Sequence, residues 1–193
     1  MSHQGFHVHG PHDHELEHAA HGNSHADPMT NQIAMFTAVI ATVGALFSYM
    51  DGTTLSNAVI YKNNAAITKT EASNQWNFYQ AKSNKQNLSE LAIELLPNAK
   101  NKDFSSEIER YKNEKKDIKA QAEKFEAESK QWDHDSEFQM HLHHRWAQGT
   151  TLLQVSIALA AISLLTRNQW LKKLMYAVGA AGVAVGILAA LHI

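Results

Sequence analysis

The sequence contains no cysteine. This absence excludes disulfide bonds, thiolate catalysis, and zinc or iron–sulfur sites built on cysteine. The chain also lacks a glycine-rich phosphate loop and a nucleophile elbow. We therefore expect a protein that is not an enzyme and requires no cofactor.

No part of the chain carries a large excess of basic residues. The 17 basic and 19 acidic residues are interspersed and give a net charge of −2. A nucleic-acid-binding surface needs basic residues gathered on one face, so we expect no nucleic-acid partner. Residues 1–30 contain no Lys or Arg at all.

Three stretches carry no charged residue and are each about 20 residues long: Asn31–Met50, Trp146–Thr166 and Leu174–Ile193. A helix of this length crosses the ~30 Å hydrocarbon core of a bilayer. The alternatives are a buried core helix or, for the first stretch, a signal peptide, which normally begins with a basic segment that is missing here. We predict transmembrane helices at 29–51, 148–166 and 171–192, in contact with lipid.

Residues 52–147 hold most of the charge and predict two long helices with a turn near 97–103. Asp51-Gly52 predicts a break after the first span, with Thr53-Thr54 as the cap of the next helix. Pro97 predicts the end of that helix, because proline cannot continue a helix interior. The two helices are of matched length, which predicts an antiparallel hairpin that leaves the membrane and returns to it at one level.

The second of these helices carries a seven-residue repeat of large side chains, which is typical of a coiled coil. Its members are Phe104, Tyr111, Ile118, Phe125, Trp132, Gln139 and Trp146. A parallel series is mostly small or polar: Ile108, Lys115, Ala122, Ser129, Ser136 and His143. The predicted fold is therefore an all-α integral membrane protein with three transmembrane helices and a coiled-coil hairpin between the first two.

The first long helix has two weaker seven-residue series. One is Ala58, Ala65, Ala72 and Tyr79; the other is Ile60, Ile67, Asn74, Ala81, Leu88 and Leu95. We expect the alanines to receive rings from the partner helix. Trp76 and Tyr79, at spacing i,i+3, are predicted to face that helix, and Phe78 to point toward another subunit. The alternative is a solvated helix face rich in asparagine.

The chain contains five features in a fixed order: an ELEHAAH segment, an apolar span, the segment NQWNFYQAKSNKQ, a charged helical region and two closing apolar spans. In this order the chain resembles a bacterial membrane family, domain of unknown function 4337. The most specific part is Asn77-Phe78-Tyr79-Gln80-Ala81-Lys82, with Trp76 before it. The resemblance implies a bacterial inner-membrane protein with a helical insert, and it transfers no catalytic residue.

Residues 1–28 form a low-complexity segment that predicts a mostly disordered tail. It contains eight histidines: His3, His7, His9, His12, His14, His18, His21 and His25. Neutral imidazole is a common ligand of zinc, nickel and copper, so His7, His9, His12 and His14 are candidate metal ligands. Incidental metal affinity and a response to pH are the open alternatives.

A second candidate metal site precedes the second span. His134, Glu137, His141 and His144 are spaced by three, four and three, which places them on one helical face. With ligands from a neighbouring subunit they could hold a metal. The alternative is an interfacial patch that contacts acidic lipids.

The last span carries small residues every four positions, at Gly182, Gly186 and Ala190. Such a stripe lets helix backbones approach closely, either within the chain or between chains.

Orientation follows from the short connection after the second span. It contains Arg167, Lys172 and Lys173, so the positive-inside rule places it in the cytoplasm. The N-terminus is then cytoplasmic and the hairpin periplasmic, although four basic residues flank the membrane on the hairpin side.

The function we expect is that of a homo-oligomeric envelope scaffold or partner-binding element; the alternative is a protein that handles divalent metals through its tail.

Overall fold

The computed structural model describes residues 28–95 and 101–192. In these ranges the chain forms three helices and no strand: α1 (Pro28–Leu95), α2 (Asn101–Thr166) and α3 (Gln169–Ala190). The predicted all-helical fold is confirmed. The predicted His-rich tail, apart from Pro28, lies outside the described residues.

Helix α1 continues through Asp51 and Gly52, so the predicted break there is wrong. The hydroxyls of Thr53 and Thr54 do not cap a new helix. They donate hydrogen bonds of 2.9 Å back to the carbonyl oxygens of Tyr49 and Met50, one turn earlier in the same helix. One glycine costs a helix only about 1 kcal/mol relative to alanine, too little to interrupt a helix with long apolar and amphipathic arms on either side.

Helix α1 begins with proline at its first position, where the missing N–H removes no hydrogen bond. It ends at Leu95, shortly before Pro97. Helix α2 begins at Asn101, within the range 97–103 in which the turn is predicted.

A two-residue turn joins α2 to α3. Arg167 has φ of 48°, in the left-handed region that ends many helices. Asn168 follows, and its side-chain oxygen accepts a hydrogen bond of 2.9 Å from the backbone N–H of Trp170. Asn168 is therefore the N-cap of α3, and it fixes where that helix begins.

Three described helices are long and apolar enough to cross a membrane, as the sequence predicts. Their apolar segments leave large side chains uncovered: Met35 is 69% exposed, Leu46 62% and Leu165 86%. Surfaces of this kind are stable against hydrocarbon and not against water. The chain is thus a multi-pass membrane protein by the length and composition of its helices.

The described residues divide into two compact units. The first contains residues 28–46 and 148–187. Its core is built from Ile33, Ala160 and Met175, all almost fully buried. Phe36 packs edge-on against Tyr176 with ring centroids 4.7 Å apart.

Small side chains set the spacing of helices in this first unit. The buried Ser156 donates a hydrogen bond of 2.8 Å to the carbonyl oxygen of Met175 on α3. A β-carbon on Gly179 would lie 2.7 Å from the Phe36 ring and 2.9 Å from the Ser156 hydroxyl. Only glycine allows the backbone of α3 to come this close to its neighbours.

The second unit contains residues 47–147 and 188–192. Leu142, Trp146 and Ala189 form a buried cluster at one of its ends. Phe47 packs against this cluster, with its ring centroid 5.1 Å from that of Trp146. The remainder of the unit is made by two long segments of α1 and α2.

Candidate functional site

The central contact of the second unit is a seam of small residues, which we call the small seam: Ala58, Ala65 and Ala72 on α1, and Ala122, Ser129 and Ser136 on α2. All six are buried. Each set repeats every seven residues, the repeat of helices that wind around each other. Because none of these side chains is large, the two helix backbones lie close together.

Two hydrogen bonds join the helices across the small seam. The hydroxyl of Ser129 donates to the carbonyl oxygen of Ala65 at 2.8 Å. The hydroxyl of Ser136 donates to the carbonyl oxygen of Ala58, also at 2.8 Å. A serine side chain is short, so it reaches a backbone oxygen on another helix only when the two helices nearly touch.

The predicted aromatic series lies beside this seam and not at its centre. Tyr111 is buried, while Phe104, Ile118, Phe125 and Trp132 are half-buried. Trp132 packs on Tyr61 with ring centroids 5.5 Å apart. The alanines of α1 therefore face the small series of α2, and the expectation that they receive rings is wrong. Small residues at the centre permit a closer approach than rings would.

Trp76 and Tyr79 lie half-buried at the border between the helices. The indole N–H of Trp76 donates a hydrogen bond of 2.8 Å to Glu126 on α2. The Lys115 ammonium lies 5.3 Å from the centre of the Tyr79 ring. Phe78 does not take part and is 58% exposed.

Ion pairs follow the same border. The Lys82 ammonium lies 2.5 Å from the Glu114 carboxylate. The hydrogen bond from Lys82 lowers the pKa of the Glu114 carboxyl below its ordinary value, with a further contribution from the charges of Lys82 and Arg110. Near the other end of the unit Lys62 pairs with Asp133, and that hydrogen bond raises the pKa of Lys62.

The second seven-residue series of α1 is exposed along its whole length: Ile60, Ile67, Asn74, Ala81, Leu88 and Leu95. We call it the outer stripe. Its large members are 50–69% exposed. Phe78 and Leu91 are exposed beside it. Residues outside a bilayer rarely leave so long an apolar series open to water unless something binds there.

A shallow apolar groove of about 510 Å³ also lies along this unit. The residues that line it include Ala58, Lys62 and Ala66 of α1 and Glu137 and Met140 of α2. The groove is open along its length, so it suits a side chain of another protein better than an enclosed substrate.

The candidate metal ligands His134, Glu137, His141 and His144 are all exposed. Within residues 28–95 and 101–192, no three His, Asp or Glu side chains are grouped closely enough to hold a metal ion. A site completed by another subunit stays a prediction. His7, His9, His12 and His14 lie outside the described residues.

The structure pairs a different histidine, one that the sequence pattern does not single out. The Nδ1 atom of His143 lies 2.7 Å from the Oδ1 atom of Asp51, and both side chains are mostly buried. The two residues are 92 positions apart in the chain. The sequence places His143 in the small or polar series of α2 and Asp51 directly after the first apolar stretch, but neither pattern pairs the two residues.

Gly182 and Gly186 of the small-residue stripe on α3 belong to the first unit, and Ala190 belongs to the second. Gly182 and Gly186 are both buried, whereas Ala190 is exposed. A β-carbon on Gly182 would lie 2.8 Å from the Leu153 side chain of α2. This part of the stripe therefore packs within the chain.

Replacing one residue of the small seam by a larger one tests whether the backbones of α1 and α2 are in close contact there. Ala65→Leu places three extra carbons between the two backbones and is expected to destabilise the protein by about 1–3 kcal/mol. Ala66→Leu, one position along and exposed, is the matched control and is expected to change stability by less than about 0.5 kcal/mol. Denaturant titration of the full chain in detergent, followed by far-UV circular dichroism, measures both. Equal losses for the two variants would contradict the close packing.

The lowered pKa of Glu114 predicts a pH dependence. A carboxyl whose pKa falls on folding stabilises the folded state above its unfolded pKa, and this contribution is lost as pH falls through the folded-state pKa. In Glu114→Gln the melting temperature should therefore decline less than in the wild type below the ordinary glutamate value of 4.5. Glu109→Gln, on the same helix, is the control and should leave the wild-type profile unchanged.

Comparison with known proteins identifies the chain by family alone. No curated protein and no solved structure matches it. A family model described as Domain of unknown function (DUF4337) matches residues 29–192, which covers all three helices. The resemblance seen around Trp76–Lys82 is thereby confirmed. The chain belongs to the family of domain of unknown function 4337.

Proposed function

We propose that this protein is a non-catalytic, homo-oligomeric component of the bacterial inner membrane, which acts as an envelope scaffold or partner-binding element. Residues 52–147 form an antiparallel coiled-coil hairpin outside the bilayer. The observation that carries the proposal is the outer stripe of α1, an apolar series that its own hairpin leaves uncovered.

The pattern of contacts supports the hairpin. Lys62 pairs with Asp133, Trp76 with Glu126, and Lys82 with Glu114. As the residue number rises along α1, that of its partner on α2 falls, which is the order of antiparallel helices. The seven-residue spacing of the small seam supports a coiled coil.

The charge distribution supports the orientation. Arg167, Lys172 and Lys173 lie in or next to the short turn between α2 and α3. Short loops follow the positive-inside rule most closely, which places this turn in the cytoplasm. An odd number of spans then places the N-terminus in the cytoplasm and residues 52–147 in the periplasm.

The mass of the protein in a lipid nanodisc tests self-association. Native mass spectrometry at membrane-like protein density is expected to give a whole-number multiple of the single-chain mass. Dilution with excess lipid before reconstitution is the control for random co-capture, and the multiple should persist through it. A single-chain mass at high protein density would contradict the proposal.

A second candidate function is the handling of divalent metals, favoured by the eight histidines within residues 1–28. Several imidazoles close together in the sequence suit weak, exchangeable binding of zinc, nickel or copper. Deleting residues 1–26 is then expected to lower cellular tolerance to at least one of the three metals. A variant with the same length of tail and Asn in place of each His separates metal binding from other roles of the segment. Unchanged tolerance to all three metals in both variants would remove this candidate.

A further inference from the structure

We propose that the outer stripe of α1 binds the outer stripe of a second copy of the chain, with the two helices parallel and in register. This inference rests on the proposed function, because it names the surface through which the copies associate. It accounts for a feature that the contacts inside one chain leave unexplained.

The outer stripe has the length and the spacing of a coiled-coil seam. Ile60 and Ile67 are 50% and 55% exposed, and Leu88 and Leu95 are 66% and 69% exposed. The stripe runs for ~52 Å of helix at 1.5 Å per residue. Because its seven-residue spacing matches that of the small seam, one helix can wind around α2 on one side and around another helix on the opposite side.

The surface chemistry of α2 points to α1 as the partner. Among the described residues between 103 and 147, Phe138 is the only large apolar side chain of α2 that is exposed. The rest of that outer face carries exposed charges such as Asp117, Lys124 and Glu128. Placing the outer stripe there would bury these charges against apolar side chains, which is costly. The same stripe on a second copy offers apolar side chains of matching length, and symmetric pairing of one patch with itself is the commonest way in which proteins dimerise.

Insertion in the membrane fixes the direction and the height of the two helices. Every copy inserts with the same topology, because the topology is set by the sequence. Helix α1 runs without interruption from its apolar segment into the outer stripe. Two neighbouring copies therefore present α1 in the same direction, and residues of the same number lie at the same distance along it.

Asn74 supports a single register. It is an exposed amide in the middle of an otherwise apolar stripe. In a parallel in-register pair, its side chain meets the same amide of the other copy and the two can hydrogen-bond. A slip by seven residues would instead place the amide against Ile67 or Ala81. A lone asparagine at a core position is a known means of fixing register at some cost in stability.

The absence of native cysteine allows a direct test by disulfide cross-linking of the full chain in lipid nanodiscs. Single variants Ile67→Cys, Ala81→Cys and Leu88→Cys probe the outer stripe. Ala66→Cys, Gln80→Cys and Asn87→Cys are matched controls, each exposed and about 100° around the helix from its partner. A disulfide requires β-carbons within about 4.5 Å, so only residues that face their own copy can form it.

The expected result is a several-fold higher yield of linked dimer at each stripe position than at its control, from Ile67→Cys through Leu88→Cys. Equal yields at stripe and control positions would overturn the proposal. Linkage at one stripe position alone would also overturn it, because crossing or antiparallel helices bring a residue next to the same residue of the other copy at only one point. Far-UV circular dichroism of each variant verifies that the helices are retained.

The native mass of the same samples separates the two proposals. An oligomeric mass without preferential linkage at the stripe would refute this surface and leave self-association standing on another one. A single-chain mass would refute both.

Discussion

The close approach of α1 and α2 across the small seam is the constraint on which the second unit depends. The Ser129 and Ser136 hydroxyls reach backbone oxygens of α1 at 2.8 Å. These bonds have a narrow range of length, so they tie the helix separation to a fixed value. They also satisfy two buried hydroxyls, which would otherwise destabilise the folded state. The surrounding contacts, including the Tyr61–Trp132 rings and the Lys82–Glu114 pair, are possible because the helices are held at this distance.

A seam of small residues fixes geometry well and buries little apolar area. Each CH₂ group removed from water contributes about 0.8 kcal/mol, so an alanine seam contributes much less than a leucine seam of equal length. The large apolar residues of α1 in the second unit do not make up for this smaller buried area within one chain. They lie on the outer stripe, where Ile60, Ile67, Leu88 and Leu95 stay exposed. The exposed apolar area of the outer stripe is the reason for proposing that copies of the chain associate through it.

Much of the fold could be predicted from the sequence because it rests on local patterns. Three uncharged stretches predicted three helices able to cross a membrane. The seven-residue series of α1 included both the buried alanines and the exposed outer stripe, so spacing alone did not distinguish the two faces. The prediction was wrong where the result depends on competition between patterns. Rings and small residues form parallel series on α2, and spacing alone does not say which series lies at the centre; the requirement for close backbone contact decides it. Gly52 does not break α1, because the cost of one glycine is small beside the stability of the long helical segments on both sides of it. The Asp51–His143 pair joins residues 92 positions apart, and no local pattern indicates such a pair.

Distances between paired spin labels in the full chain in lipid test the central claim most directly. Labels at Ala66 and Lys130, which border the same groove, are expected to give one short and narrow distance distribution. Labels at Tyr79 and Lys119, which border a second groove, should give a similarly short distance, because antiparallel helices bring lower residue numbers of α2 beside higher ones of α1. Parallel helices that met at residues 66 and 130 would instead separate residues 79 and 119 by ~36 Å along the axis, the length of about 24 helical residues. A broad distribution for the first pair, or a long distance for the second, would contradict the close antiparallel contact of α1 and α2.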